Sequence, residues 1–211
     1  MSYHVKEMYY TLQGEGVHTG KPAVLVRFSG CNLWSGRDED RESAICTFCD
    51  TDFVGTDGPN GGIFNSADQL ASKAMEFWPK LSACKPFVVG TGGEPLLQLD
   101  SKLLDSFHRI GFEVAIETNG TLPAPADIDW ICVSPKAGTE LVLKSGNELK
   151  LVFPQPNVNP ADYLGLEYDH FSLQPVAGPE SESNTMAAIQ YCLEHPCWKL
   201  SLQIQKILNI P

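Results

Sequence analysis

The apolar positions of this chain fall into short runs separated by polar turns. Pro22 to Ser29 (PAVLVRFS) is the first run with the length and β-branched content of a strand, and it carries one charge, Arg27. Asn65 to Leu81 has apolar residues at helical spacing, with Ser66 placed to cap the start. Pro86 to Leu97 (PFVVGTGGEPLL) predicts a buried strand running into a glycine turn. Leu99 to Ile110 predicts an amphipathic helix, and GFEVAIETNG a strand ending at Glu117, Thr118 and Asn119. Strands follow at IDWICVSPK, NELKLVF and HFSLQPVAG, then a helix over Thr185 to Glu194, and a last strand with a tail in KLSLQIQKILNIP. GTDGPNGGIF reads as a glycine-rich connection, without the Lys-Ser/Thr of a phosphate loop.

Short buried strands alternating with helices or crossovers predict an α/β fold with a largely parallel sheet. Polar residues gather at the C-terminal ends of the strands, in TGGE, ETN, SPK and QP. Parallel sheets place ligands at those ends, so one pocket should collect all four clusters. Periodicity does not decide between an open and a closed sheet. No internal repeat is visible, and 211 residues are read as a single domain, 1–211.

Charge narrows the function. Lys and Arg number 15 against 26 Asp and Glu, a net −11, which disfavours nucleic acid and anionic membranes as partners. The N-terminus lacks a signal-peptide h-region, and no apolar run approaches membrane length, so the expectation is a cytoplasmic protein with reduced cysteines. Cys84, Cys132, Cys192 and Cys197 stand among apolar neighbours and are expected to be buried small hydrophobes.

The remaining cysteines carry the chemistry. Cys46 and Cys49 form a C-x-x-C, and Cys31 stands upstream of it across 14 residues. A structural zinc site would want a fourth ligand, for which only the irregularly spaced His4 and His18 are at hand. A thioredoxin-like redox pair would leave Cys31 unexplained. A [4Fe-4S] cluster held by three thiolates, with its fourth iron open, uses all three.

Motifs beyond the cysteines point to one family. YTLQGEG, RFSGCNLW, CDT, TGGEPLLQ, ETNG, SPK and QP stand in one order along nearly the whole chain. In that order the sequence resembles the radical S-adenosylmethionine superfamily, and within it the 7-carboxy-7-deazaguanine synthase family, in the branch with an expanded C-x14-C-x2-C loop. The resemblance implies an incomplete or modified (β/α) barrel with residues 32–45 inserted in the cluster loop, the charges from Arg37 to Glu42 forming a solvated face. It implies that Cys31, Cys46 and Cys49 ligate the cluster. Phe48, Gly93, Glu94, Ser134, Pro135, Lys136, Gln174, Pro175, Val176 and Ala177 would meet S-adenosylmethionine, with Glu94 accepting from its ammonium. Thr51 would ligate Mg²⁺. Leu12, Gln13, Gly14, Glu15, Thr91, Glu117, Asn119 and the Pro211 carboxylate would meet 6-carboxy-5,6,7,8-tetrahydropterin, and Arg27 its carboxylate. A structural ion pair, for instance with Glu15, competes for Arg27. Gln205 stands where the family often has histidine, so a substrate contact there would not titrate.

The implied reaction is hydrogen abstraction from C6 of the pterin by a 5′-deoxyadenosyl radical, ring contraction and loss of ammonia, a lyase activity. The implied partners are an electron donor such as a flavodoxin or ferredoxin and a second copy of the chain. Two alternatives are an activating enzyme that makes a glycyl radical on a partner protein, which would share the cluster and the GGE turn, and a non-catalytic zinc- or iron-sulfur-binding module.

Overall fold

The computed structural model describes residues 2–80 and 82–211. One nine-stranded sheet organises the chain. Its strands are β1 (Tyr3–Leu12), β2 (Pro22–Phe28), β3 (Gly62–Phe64), β4 (Phe87–Gly92), β5 (Glu113–Thr118), β6 (Trp130–Val133), β7 (Ser145–Phe153), β8 (Glu167–Pro175) and β9 (Trp198–Leu200). The order across the sheet is β3-β1-β2-β4-β5-β6-β7-β8-β9. From β2 to β9 every neighbour is parallel, whereas β1 is antiparallel to both β2 and β3. The sheet does not close strand to strand, and β3 and β9 are its edges.

Period-2 alternation sorts the two faces. Val24, Val26 and Phe28 of β2, Val88 of β4, and Val114 and Ile116 of β5 join one core with α1 (Ala67–Met75) and α2 (Ser101–Arg109). Leu149 and Leu151 of β7, Leu173 of β8 and Trp198 of β9 join a second, with Ala188 of α3 (Ser181–Glu194). The alternate residues, Arg27, Thr91, Glu117, Lys150 and Gln174, face away from these cores and toward one cavity. Side-chain caps fix where α1 and α2 begin. The Ser66 hydroxyl accepts from Gln69 N at 3.2 Å and the Asp100 carboxylate from Leu103 N at 2.9 Å.

Several elements depart from the sequence-based expectation. The N-terminal strand β1 was not expected. A register shift between Val5 and Glu7 breaks its alternation, and Lys6 is buried out of turn. The glycine-rich connection contains β3, which pairs with β1. α1 ends at Met75 rather than near Leu81, which lies outside the described residues, and α3 begins one turn earlier than expected. The expected last strand is three residues of β9 followed by a short helix, α4 (Ile204–Leu208). After β9 the chain leaves the sheet edge and crosses to the loop after β1, where Ile204 N donates to Gly14 O at 3.0 Å and Gly16 N to Ser201 Oγ at 2.9 Å. The two ends of the sheet thus meet through a C-terminal segment, which requires the sheet to curve around the polar face. Of the four cysteines expected to be buried, only Cys132 is; Cys192 is half-buried, and Cys84 and Cys197 are exposed.

Candidate active site

A cavity of about 370 Å³ opens at the C-terminal ends of the parallel strands. The expected site residues line it, except Glu94 and Pro135.

One wall carries the three thiols. Cys31 follows the end of β2, and its sulfur accepts from Leu33 N at 3.4 Å. The β4 turn packs directly on it. Gly93 N donates to Phe28 O at 3.3 Å and Glu94 N to Gly30 O at 2.9 Å. A Cβ on Gly93 would stand 2.1 Å from Gly30 O and 2.9 Å from Cys31 Cβ, so only glycine lets the two turns meet. The neighbouring Cys46 and Cys49 thiols perturb each other: the proximity of Cys49, helped by burial, pushes the Cys46 thiol up, and that of Cys46 draws Cys49 down to about 6 against the effect of burial. The polar groups of Thr51 also favour the Cys49 thiolate.

Among the described residues, no three His, Cys, Asp or Glu side chains close around a single metal ion. A cubane seats each thiolate on a separate iron, so its sulfurs need not converge on one point. The donor set on this wall is all sulfur and already carries a low-pKa thiol. It fits an iron-sulfur cluster better than a hard cation.

The opposite wall is a charge network. Lys150 on β7 is buried and meets Glu15 at 2.5 Å and Glu117 at 2.8 Å. The other Glu117 oxygen accepts from the Thr91 hydroxyl at 3.1 Å. The other Glu15 oxygen accepts from Gln203 at 2.8 Å and Gln205 at 3.0 Å. Burial alone would raise the Glu15 carboxyl; the charge and hydrogen bond of Lys150, then the two amides, outweigh it and hold it at about 2. Two carboxylates thus share one ammonium, a net negative site lined by amide donors.

Other expectations are corrected. Arg27 does not pair with Glu15. It donates to Glu7 at 2.7 Å and to the Tyr9 hydroxyl at 3.2 Å, on neighbouring β1. Glu94 is fully buried, and its carboxylate accepts from Leu96 N, the Thr118 hydroxyl and Asn119 N at 2.9, 2.7 and 2.8 Å. It therefore braces the wall from behind. Pro135 is off the wall, with its carbonyl accepting from Gln155. Asn119 lines the cavity, but its amide is held by Asn32 and Thr121. The charges between the first two cysteines are not all solvated, since Arg41 turns inward onto the loop.

Sequence reasoning missed Lys150, Gln203, Lys206 and Asp50, which also line the cavity. Lys206 on α4 donates to Asp50 at 2.5 Å, tying the C-terminal segment to the cysteine loop. The buried Oε1 of Gln174 and of Gln205 lacks a hydrogen-bond partner among the described residues. Orphaned acceptors at a cavity wall suit a ligand that brings donors. The Thr11 hydroxyl bonds a Pro211 main-chain oxygen at 2.8 Å and holds that residue at the rim. No helix among the described residues is long and apolar enough to cross a membrane.

No family model matches the chain. Individual proteins do. The 7-carboxy-7-deazaguanine synthase of Burkholderia multivorans is 58% identical over 211 residues, covering 100% of both chains. Those of Bradyrhizobium diazoefficiens and Nitratidesulfovibrio vulgaris are 57% and 52% identical, again over 100% of both chains. The crystal structure of QueE from Escherichia coli matches the fold with a TM-score of 0.71 at 27% identity, covering 96% of this chain and 94% of that one.

Proposed function

The chain belongs to the 7-carboxy-7-deazaguanine synthase family, and from that premise we propose that it converts 6-carboxy-5,6,7,8-tetrahydropterin to 7-carboxy-7-deazaguanine with release of ammonia, in deazapurine and queuosine biosynthesis. The observation that carries the reading is one cavity with two chemically opposite walls: three thiols on one side, and two carboxylates sharing a single ammonium on the other.

Cys31, Cys46 and Cys49 would hold a [4Fe-4S] cluster. Gly93, Ser134, Lys136 and the strip Gln174 to Ala177 would seat S-adenosylmethionine beside it. When bound, these groups supply a radical able to abstract hydrogen from the substrate. The chain's own residues do the rest. Glu15 stays ionised beside Lys150, and its carboxylate and that of Glu117 can receive N–H groups along a pterin edge. Gln13, whose amide approaches Glu117 at 3.5 Å, and the Thr91 hydroxyl hold the second carboxylate in register. Leu12, Leu25, Phe48 and Val152 give the cavity apolar lining that would limit water around the reacting carbon.

Arg27 is turned to the cavity while pinned by Glu7 and would attract the substrate carboxylate as a preformed cation. Thr51 would donate its hydroxyl oxygen to a Mg²⁺ that also meets that carboxylate. An electron donor such as a flavodoxin or ferredoxin, a homodimer and a cytoplasmic location belong to the same proposal.

Anaerobic reconstitution should give a brown protein with about four irons per chain. Turnover with reductant, S-adenosylmethionine and the carboxytetrahydropterin should release ammonia and the deazaguanine product. Cys31→Ala, Cys46→Ala and Cys49→Ala should each lose the cluster's visible absorbance, whereas Cys84→Ala and Cys197→Ala should keep it. A fully loaded protein that makes no deazaguanine would sink the substrate assignment. A colourless zinc protein would sink the cluster.

A further inference from the structure

The expanded loop between Cys31 and Cys46 contains a device that the charge pattern does not reveal. Its two ends are zipped together, with Ile45 N and Cys46 N both donating to Leu33 O, at 3.1 and 3.4 Å. Fourteen intervening residues therefore do not separate the two cysteines in space. Trp34 is buried under the loop, edge-on to Phe53 at 5.6 Å, with its indole N–H on Arg37 O at 3.1 Å.

Arg41 lies over the Trp34 ring, 4.1 Å from its centroid. Its Nη1 donates to Thr47 O and to Cys49 O, each at 3.0 Å. Its Nε and Nη2 both reach Asp38 Oδ1, at 3.2 and 3.0 Å. The guanidinium thus uses its stacking face and four N–H groups at once. Lysine, a point charge without a planar fork, cannot reproduce this.

The two carbonyls held by Arg41 bracket Phe48 inside the C-x-x-C. Turning them outward to the guanidinium fixes the backbone path on which Cys46 and Cys49 stand. Arg37, only four residues earlier, makes nothing comparable: it is 71% exposed and approaches only Glu39, at 3.7 Å.

We propose that Arg41 is a positioning residue that clamps the C-x-x-C turn from the inserted loop and so governs how firmly the three thiolates retain the cluster. The inference rests on the reading that Cys31, Cys46 and Cys49 ligate it. Two readouts separate the two ideas. The first is the rate at which the reconstituted protein loses iron to a chelator under anaerobic conditions. The second is the rate of Cys46 and Cys49 alkylation in the metal-free chain, which needs no cluster.

Arg41→Leu should speed both by about tenfold or more, the scale of one charge-assisted hydrogen bond. Arg41→Lys should fall between it and wild type, and Arg37→Leu should match wild type. If wild type itself takes up no iron, the cluster reading fails while the alkylation rates still test the clamp. If Arg41→Leu does not fold, Asp38→Asn decides, since it loosens the guanidinium from an exposed position and should raise both rates in the same direction. Wild-type rates in folded Arg41→Leu, or in Asp38→Asn when Arg41→Leu cannot be read, would overturn the proposal.

Discussion

Replacing Lys150 with methionine removes the cation that touches both site carboxylates, while keeping a similar side-chain volume on β7. Glu15 is drawn from its ordinary 4.5 to about 2, and Lys150 is the strongest of the influences that lower it. At about 1.4 kcal/mol per unit, that drop corresponds to roughly 3 kcal/mol of folding free energy. Breaking a buried ion pair from one side costs about 3–5 kcal/mol, which agrees. For a chain of this size the expected fall in Tm at pH 7 is about 6–20 °C.

The sign of the pH dependence is more diagnostic than the size. In wild type the folded-state value of Glu15 lies below its ordinary one. Its contribution is therefore complete above about pH 4.5 and is lost as pH falls toward 2. In Lys150→Met burial remains, the attraction is gone, and the Glu15 value moves above 4.5. The variant then gains stability as pH falls from 7 to 5, where the Glu15 contribution in wild type stays flat. Thermal unfolding of both proteins across that range should show the gap in Tm narrowing on acidification. Adding Glu15→Gln to Lys150→Met should close much of the gap at pH 7, because the uncompensated charge is gone. A gap that is constant or widens toward pH 5, or a double variant no more stable than Lys150→Met, would refute the argument.

Gly93→Ala puts a methyl 2.1 Å from Gly30 O and should cost at least about 1–3 kcal/mol in chemical denaturation, with lower iron loading because Cys31 shares that contact. Asp100→Ala removes the cap of α2 and the acceptor of the Tyr3 hydroxyl at 2.8 Å, for a loss of about 2–3 kcal/mol read from the urea midpoint. Thr51→Ala should weaken the Mg²⁺ dependence of turnover while preserving the visible spectrum; an unchanged Mg²⁺ titration would mean that the ion is held elsewhere.

β4, β5, β6 and β8 were legible because each pairs an apolar run with a polar cluster at its C-terminal end, and β2 and β7 from their apolar runs alone, patterns that survive the loss of all long-range information. Lys150 was legible in principle. It shares a strand face with Glu148 in NELKLVF, and a charge inside a buried strand demands a partner, the same argument that singled out Arg27. The partner's identity was not legible. Arg27 meets Glu7 rather than Glu15 because antiparallel β1 sets Glu7 directly opposite it, and β1 itself was hidden by its register shift. The alternation in LSLQIQ suggested a strand, but Ser201 bonds Gly16 and Ile204 bonds Gly14, so closure across the sheet overrides local preference. The burial of Glu94 was not legible for a related reason. A motif tells which residues gather at a turn, and only packing tells which way a carboxylate points.

The C-terminal segment that bridges the two ends of the sheet has a kinetic consequence. Strand pairing would resist parting along many residues, whereas this seam is stitched by a handful of bonds around Gly14, Gly16 and Glu15. Three or four of them, at about 1 kcal/mol each, leave a parted population on the order of one in a few hundred. Parting the seam would break no strand pair, so amide hydrogens held only there, those of Gly16 and Ile204, should exchange far faster than those in the parallel ladder of β4 and β5.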